Sequence, residues 1–216
     1  METTHISDVE LGELVKTTLP RLIFITGKTC TGKSTFAKSI IPLGYEHLEL
    51  DFVVRESVVN KFEESKGGKA FSVYKGEAPK EWQDSFEAAA KKLIVEKLTQ
   101  SKVIVDAALA TPEVVGRIFS GELADFMFVY LHPFDATFYN EYIMARLIND
   151  IETMGRSFPI WDFMTAEAVD DYRRNGKAGE KIMRIVKEYG EQSIKTSVER
   201  YESFKSVYPN ILLVGR

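Results

Sequence analysis

Residues 27–34 read GKTCTGKS and stand between the apolar run RLIFIT and the run TFAKSII. A glycine, four further residues and then Gly-Lys-Ser is a pattern that few backbones can use. Gly27 and Gly32 permit a tight turn in which successive N–H groups converge with no Cβ in the way. A helix starting at that point adds the partial positive charge of its N-terminus. The stretch therefore predicts a strand, a phosphate-binding loop and a helix in direct succession. Gly27, Lys28, Thr29, Cys30, Thr31, Gly32, Lys33, Ser34 and Thr35 would form the cradle. Lys33 would reach the β- and γ-phosphates of ATP as a mobile point charge, and Ser34 would offer its hydroxyl to Mg²⁺. Cys30 reads either as a small residue tolerated in the loop or as a redox-sensitive thiol.

Elsewhere, short β-rich runs alternate with longer segments of helical period, the pattern of a parallel sheet with helical crossovers. Strands are predicted at 21–26, 46–51, 102–107, 125–132 and 210–215. The expected fold is α/β: a P-loop NTPase three-layer sandwich with a five-stranded, mainly parallel sheet and a lid helix. Residues 1–20 read as an N-terminal extension whose Ser7–Glu10 segment suits a capping box. Residues 21–216 read as one domain, with an acceptor-site insertion at about 53–80 and the lid at about 140–160. Phe36, Ala37, Ile40 and Ile41 repeat at helical spacing and stop near Pro42 and Gly44. Trp82, Phe86, Ala89, Leu93 and Lys97 fall on successive turns of another helix. Asp135 suits an N-cap and Gly155 a C-terminal stop. The segment from Glu180 to Tyr208 reads as helical with a break or kink at Gly190, and residues 67–79 as a loop or hairpin.

Composition narrows the partners. The chain has 216 residues, a formal net charge of -4 and a pI of about 5.6, which argues against a global electrostatic grip on nucleic acid. One cysteine allows neither an intrachain disulfide nor a Cys-based zinc site. The start, METTHISDVELGELVKT, is polar and acidic, unlike a signal peptide. No apolar run approaches the length of about 20 residues that crosses a bilayer. The expectation is a soluble cytoplasmic protein with no membrane contact; no pattern points to an oligomeric state.

Ligands of open α/β sheets lie beyond the carboxyl ends of the strands, so acidic residues there are candidates. Asp106 ends KVIVD, as an Mg²⁺-linked aspartate does, or else caps the turn that follows. Asp51 ends HLELD, where it can address an acceptor hydroxyl, cap the next helix, or do both. Glu49, two residues earlier, suits structural pairing. Arg146, Asn149, Asp150 and Thr153 share a polar helix face, and Arg156 follows Gly155. Arg146 and Arg156 can fold over ATP and neutralise charge on the moving phosphoryl group, or Arg146 can pair with Asp150 at the surface. Arg55, Tyr74 and Trp82 are candidate acceptor contacts, with helix core as the other reading of Trp82. His132 reads as a structural histidine or a ligand contact, and Arg173 and Arg174 as a solvated pair or as substitute lid cations.

With these residues in place, the chain resembles the uridine kinase and phosphoribulokinase group of P-loop kinases. The likeness runs discontinuously over about 21–160. It is carried by the P-loop, LDF at 50–52, VIVDAALA at 103–110 and ARLINDIETMGRS at 145–157. It implies Asp51 as catalytic base and Asp106 at the family's acidic position after the third strand. In the lid the chain keeps Arg146, Asp150, Gly155 and Arg156. It carries Ala145, Asn149 and Met154 where the family usually has arginine. The family's nucleoside signature, built around Phe-Asp-His-Pro, is absent, and YKGEAPKEW occupies that region. The acid-tipped second strand is also similar to that of zeta-toxin-like kinases, which phosphorylate nucleotide sugars. The expected activity is ATP- and Mg²⁺-dependent transfer of the γ-phosphoryl group to a hydroxyl of a small metabolite. Two other readings stand beside it: a kinase for a nucleotide sugar or a polynucleotide 5′-hydroxyl, and a non-catalytic nucleotide-sensing module.

Overall fold

The computed structural model describes residues 6–62, 69–108, 110–154, 166–176 and 179–215. The first half contains α1 (Asp8–Thr18), β1 (Leu22–Gly27), α2 (Lys33–Ser39), β2 (Tyr45–Glu49), α3 (Leu50–Val54), α4 (Asn60–Phe62) and α5 (Lys80–Leu98). There follow β3 (Lys102–Ala107), α6 (Pro112–Ile118), β4 (Met127–His132), α7 (Ala136–Met154), α8 (Ala166–Asn175), α9 (Glu180–Val207) and β5 (Leu212–Gly215). The five strands lie in the order β2-β3-β1-β4-β5, and every neighbouring pair is parallel.

The near-continuous apolar runs of the strands are explained by burial on both faces. Side chains alternate across β1, so Leu22 and Phe24 enter one core while Ile23 and Ile25 enter the other. The Phe24 side is covered by α5, α6 and α9 through Phe86, Ile94, Val114, Ile118 and Phe204. The Ile25 side is covered by α1 through Leu11 and Val15, and by α2 through Phe36 and Ala37. The result is three layers, as the strand–helix alternation predicts. Helix α1 begins with the expected capping box, in which Ser7 and Glu10 bond each other's backbone N–H. At α7, the Asp135 Oδ1 accepts from the N–H groups of Thr137 at 2.8 Å and Phe138 at 3.0 Å, as the N-cap expectation requires.

Three local expectations are corrected. Strand β2 ends at Glu49, so Asp51 sits in the first turn of α3 rather than at a strand tip. Residues 55–59 continue that helix as a π-helical turn, a form frequent at functional sites. Residues 69–75 form a 3₁₀ helix, not a hairpin, because Ala70, Val73 and Tyr74 are pulled into the core. Gly190 does not break α9, which runs without interruption from Glu180 to Val207. A Cβ on Gly190 would stand 1.8 Å from the Asn140 Oδ1 of α7. That glycine therefore exists for close helix approach. Around it, Ile182, Val186, Tyr139, Ile143 and Leu147 form a third, smaller core.

This crossing yields a stability prediction. Alanine gains roughly 1 kcal/mol over glycine in a helix interior, yet Gly190→Ala should lose about 1–2 kcal/mol net through overpacking. Adding Asn140→Ala should return most of that loss. Chemical denaturation reads both, and an undiminished midpoint for Gly190→Ala alone would contradict the crossing.

Candidate active site

The loop after β1 is shaped by backbone approach. Gly27 has φ +144°, and a Cβ there would lie 2.4 Å from the Leu131 carbonyl oxygen of β4. Only glycine lets β1 turn out of the sheet at this point. Cys30 and Gly32 both take left-handed φ values, +66° and +81°, a backbone conformation found in anion-binding turns. For a non-glycine residue such as Cys30 this conformation costs on the order of 1 kcal/mol. Its side chain packs against the α7–α9 core. Two further contacts hold the loop. Thr31 Oγ1 donates to the Lys28 carbonyl at 2.8 Å, and the Tyr139 hydroxyl of α7 donates to the Thr29 carbonyl at 2.8 Å. Thr35 is exposed on α2, directed away from the packed interior.

Lys33 is buried, with Nζ donating to the carbonyls of Gly27 at 3.2 Å and Lys28 at 2.8 Å. Burial pulls its pKa below the ordinary lysine value, while the carboxylates of Asp106 and Asp51 act to raise it. Both acids therefore lie within electrostatic reach of the loop lysine. Asp106 is bound more directly: the Ser34 hydroxyl donates to its Oδ2 at 2.8 Å. The N-cap of the following helix, α6, is Thr111. Burial alone would raise the Asp106 pKa. His47, Lys33 and Ser34 outweigh it and hold the carboxyl below its usual range.

His47 is a partner that the sequence reading missed. It lies on β2, beside β3, with Nε2 3.6 Å from Asp106 Oδ2 and Nδ1 4.0 Å from Glu49. The expected pairing role of Glu49 is thus directed at His47. Its signal in the sequence was the alternation of His47 and Glu49 on one strand face.

On the other side, the Tyr74 hydroxyl donates to Asp51 Oδ1 at 2.7 Å. Burial, followed by the Asp51 carboxylate, holds the Tyr74 phenol well above its ordinary pKa. Asp51 is not the helix N-cap, which is Glu49, but its charge is favourable in the first helical turn. Arg55 is exposed one turn after Asp51, and Phe52 beside it is 57% exposed. Trp82 is not brought to this group of residues: it stacks on Phe62, with ring centroids 5.9 Å apart, at the edge of the core.

Of the expected lid cations, the structure describes Arg146. Arg146 is exposed on α7, while Gly155 and Arg156 fall outside the described residues, as does the Asp150 side chain. Arg173 and Arg174 are exposed on α8. His132 is buried with Nδ1 2.9 Å from Ser197 Oγ, the geometry of a structural histidine. Arg200 of α9 acts electrostatically on both Lys28 and Lys33.

Among the described residues no group of three or more His, Cys, Asp and Glu side chains could hold a metal alone. Mg²⁺ does not need one, since it binds through one or two carboxylates together with substrate phosphates and water. The paired Ser34 hydroxyl and ionised Asp106 carboxylate suit that role. Among the described residues no helix is long and apolar enough to cross a membrane.

The chain thus has the α/β fold of P-loop nucleotide-binding proteins. No family model matches it, and no curated protein matches it. Solved structures of similar shape include a shikimate kinase from Bacteroides thetaiotaomicron, 13% identical, covering 89% of this chain and 84% of that one at a TM-score of 0.46. A sugar kinase from Janibacter sp. HTCC2649 is 14% identical, covering 87% of this chain and 98% of that one at 0.42. A DNA replication initiation factor is 12% identical, covering 93% of this chain and 66% of that one at 0.37. Likenesses this distant carry no weight for function.

The Tyr74–Asp51 bond gives a prediction with a definite sign. The folded phenol ionises at higher pH than the unfolded one. Its contribution is therefore complete below about pH 10 and is lost as the pH rises further. Tyr74→Phe should lose less stability than wild type between about pH 9 and about pH 11. Parallel pH–stability curves for the two proteins would contradict the buried, carboxylate-bound phenol.

Proposed function

We propose that this protein is an ATP- and Mg²⁺-dependent kinase that transfers the γ-phosphoryl group to a hydroxyl of a small metabolite. The observation that carries this reading is the pair of carboxylates flanking Lys33. Asp106 is held by Ser34 at 2.8 Å, and Asp51 is held by Tyr74 at 2.7 Å. One serves the nucleotide side, the other the acceptor side.

ATP phosphates would enter the loop and take the Lys33 ammonium from the carbonyls of Gly27 and Lys28. Lys33 then sits against the β- and γ-oxygens, where it offsets charge in a partly dehydrated site. Ser34 and Asp106 would hold Mg²⁺, which when bound supplies charge neutralisation at the phosphates. The acceptor alcohol would lie over α3, with the exposed Phe52 ring and Arg55 guanidinium available to its body. Asp51 accepts the hydroxyl proton as the new O–P bond forms. The bond between the γ-phosphorus and the bridging oxygen breaks, and ADP leaves with that oxygen. Tyr74 occupies Oδ1 and so orients the carboxyl, directing its other oxygen to the alcohol. Transfer of this kind depends chiefly on positioning and electrostatics.

Asp51→Asn keeps an acceptor for Tyr74 but removes the base. It should lower transfer by roughly 10²-fold or more while ATP affinity stays nearly unchanged. The assay is acceptor-dependent ADP release across nucleosides, nucleotides, sugars and vitamin precursors. Loss of ATP binding in Asp51→Asn, with no specific effect on turnover, would reject the base assignment. Tight ATP binding by wild type with no release for any acceptor would point to a nucleotide sensor instead.

A further inference from the structure

The strongest unassigned feature is a guanidinium from α9 bonded to the link that follows β3. Arg200 lies near the C-terminal end of α9, partly buried. Its Nη2 donates to the Ala110 carbonyl at 2.5 Å, and its guanidinium carbon stands 5.6 Å from the Phe204 ring centroid. Among the described residues no carboxylate lies within ion-pair distance of it. Ala110 belongs to the short link between β3, which carries Asp106, and α6. The next residue, Thr111, donates its N–H to the Tyr74 carbonyl at 2.8 Å, and Tyr74 holds Asp51. The link after β3 is therefore bonded to the acceptor-side tyrosine at one residue and to Arg200 at its neighbour.

One turn before Arg200 on α9, Ser197 bonds Tyr130 and His132 of β4, and Tyr130 and Leu131 pair with Thr26 and Gly27 where the loop begins. Arg200 is the leading charged group that disfavours the protonated form of Lys28, after burial, and it also disfavours that of Lys33. Burial pulls Arg200 itself below its ordinary value. A desolvated cation without a carboxylate, within electrostatic reach of two more cations, is costly in a protein at rest. An anion that met all three would remove the repulsion.

We propose that Arg200 contacts the terminal phosphoryl group of a triphosphate bound in the loop, so that α9 supplies a transition-state cation for transfer. This rests on the kinase reading above. It also accounts for how a chain with Ala145, Asn149 and Met154 in its lid-like segment can still neutralise the moving charge. The Ala110 carbonyl fixes one edge of the guanidinium and leaves its remaining N–H donors for phosphate oxygens.

The test compares ATP with ADP on the full chain. Arg200→Met should weaken ATP binding on the order of 10- to 100-fold and leave ADP binding within about threefold. It should also lower kcat on the order of 10³-fold. Arg200→Lys keeps a charge and a donor for Ala110, so it should recover part of the ATP affinity but little of kcat. Should Arg200→Met fail to fold, Arg200→Lys carries the comparison alone, with kcat reduced and ADP binding preserved. Equal losses for ATP and ADP, or unchanged kcat in either variant, would overturn the proposal and leave Arg200 as a tether for the link after β3. Wild-type protein that bound neither nucleotide would overturn the kinase reading as well, a result separable from the other two.

Discussion

The hydrogen bond from Ser34 to Asp106 is the contact on which the site turns. It joins the first turn of α2 to β3, and it exists only because β1 and β3 run parallel in one register, with Ile25 opposite Asp106 and Thr26 opposite Ala107. A slip of one residue would turn the aspartate into the opposite core. Burial of both sheet faces enforces that register, since Val103 and Val105 pack on one side and Ile104 on the other. The chemistry therefore inherits its precision from apolar packing. His47, Lys33 and the Ser34 pairing together keep Asp106 ionised at a depth where desolvation favours the neutral acid.

What was legible in the chain follows from the range over which each feature is determined. The P-loop is a local backbone solution, so its glycines, lysine and serine announce it directly. Asp106 was legible because a β-branched run leads to it. Asp51 was found as a residue but misplaced by an element: HLELD reads as a strand through its end, whereas tertiary packing of Leu50, Val53 and Val54 starts the helix at Leu50. The segment around Tyr74 illustrates the reverse bias. Its glycines and proline suggest a loop, and the buried Ala70, Val73 and Tyr74 override them. Arg200 and His47 could not be placed by motif, because each enters the site through a neighbour remote in sequence. For Gly190 a propensity argument pointed to a kink, and only the facing Asn140 reveals the close crossing.

The loop is also tied to the helices beside it more firmly than a strand–turn–helix unit alone would be. Tyr139 holds the Thr29 carbonyl, and Cys30 enters the core shared by α7 and α9. Burial raises the Tyr139 phenol far above its ordinary pKa, so the donor remains protonated throughout the physiological range. The left-handed strain at Cys30 is offset by this packing. A displacement of α7 or α9 would therefore be felt in the phosphate cradle without any ligand contact of its own, because the two helices share one small core.

On the proposed reading, charge arrangement is what would let an acidic protein hold a polyanion. With a net charge of -4, the molecule gains nothing from long-range attraction of a triphosphate. Binding has to come from a few cations placed at short range in a site of reduced dielectric, where each counts for more than it would at the surface. Lys28, Lys33 and Arg200 are such a set, each with burial pulling its pKa down. Their mutual repulsion is a cost carried by the empty protein, and a bound phosphate chain would convert it to attraction. Asp106 and Asp51 keep that cost bounded by opposing the repulsion at Lys33. The same balance would favour an anion under the proposed reading: a neutral ligand would leave the cations uncompensated, whereas an anion with oxygens directed at all three would satisfy them together.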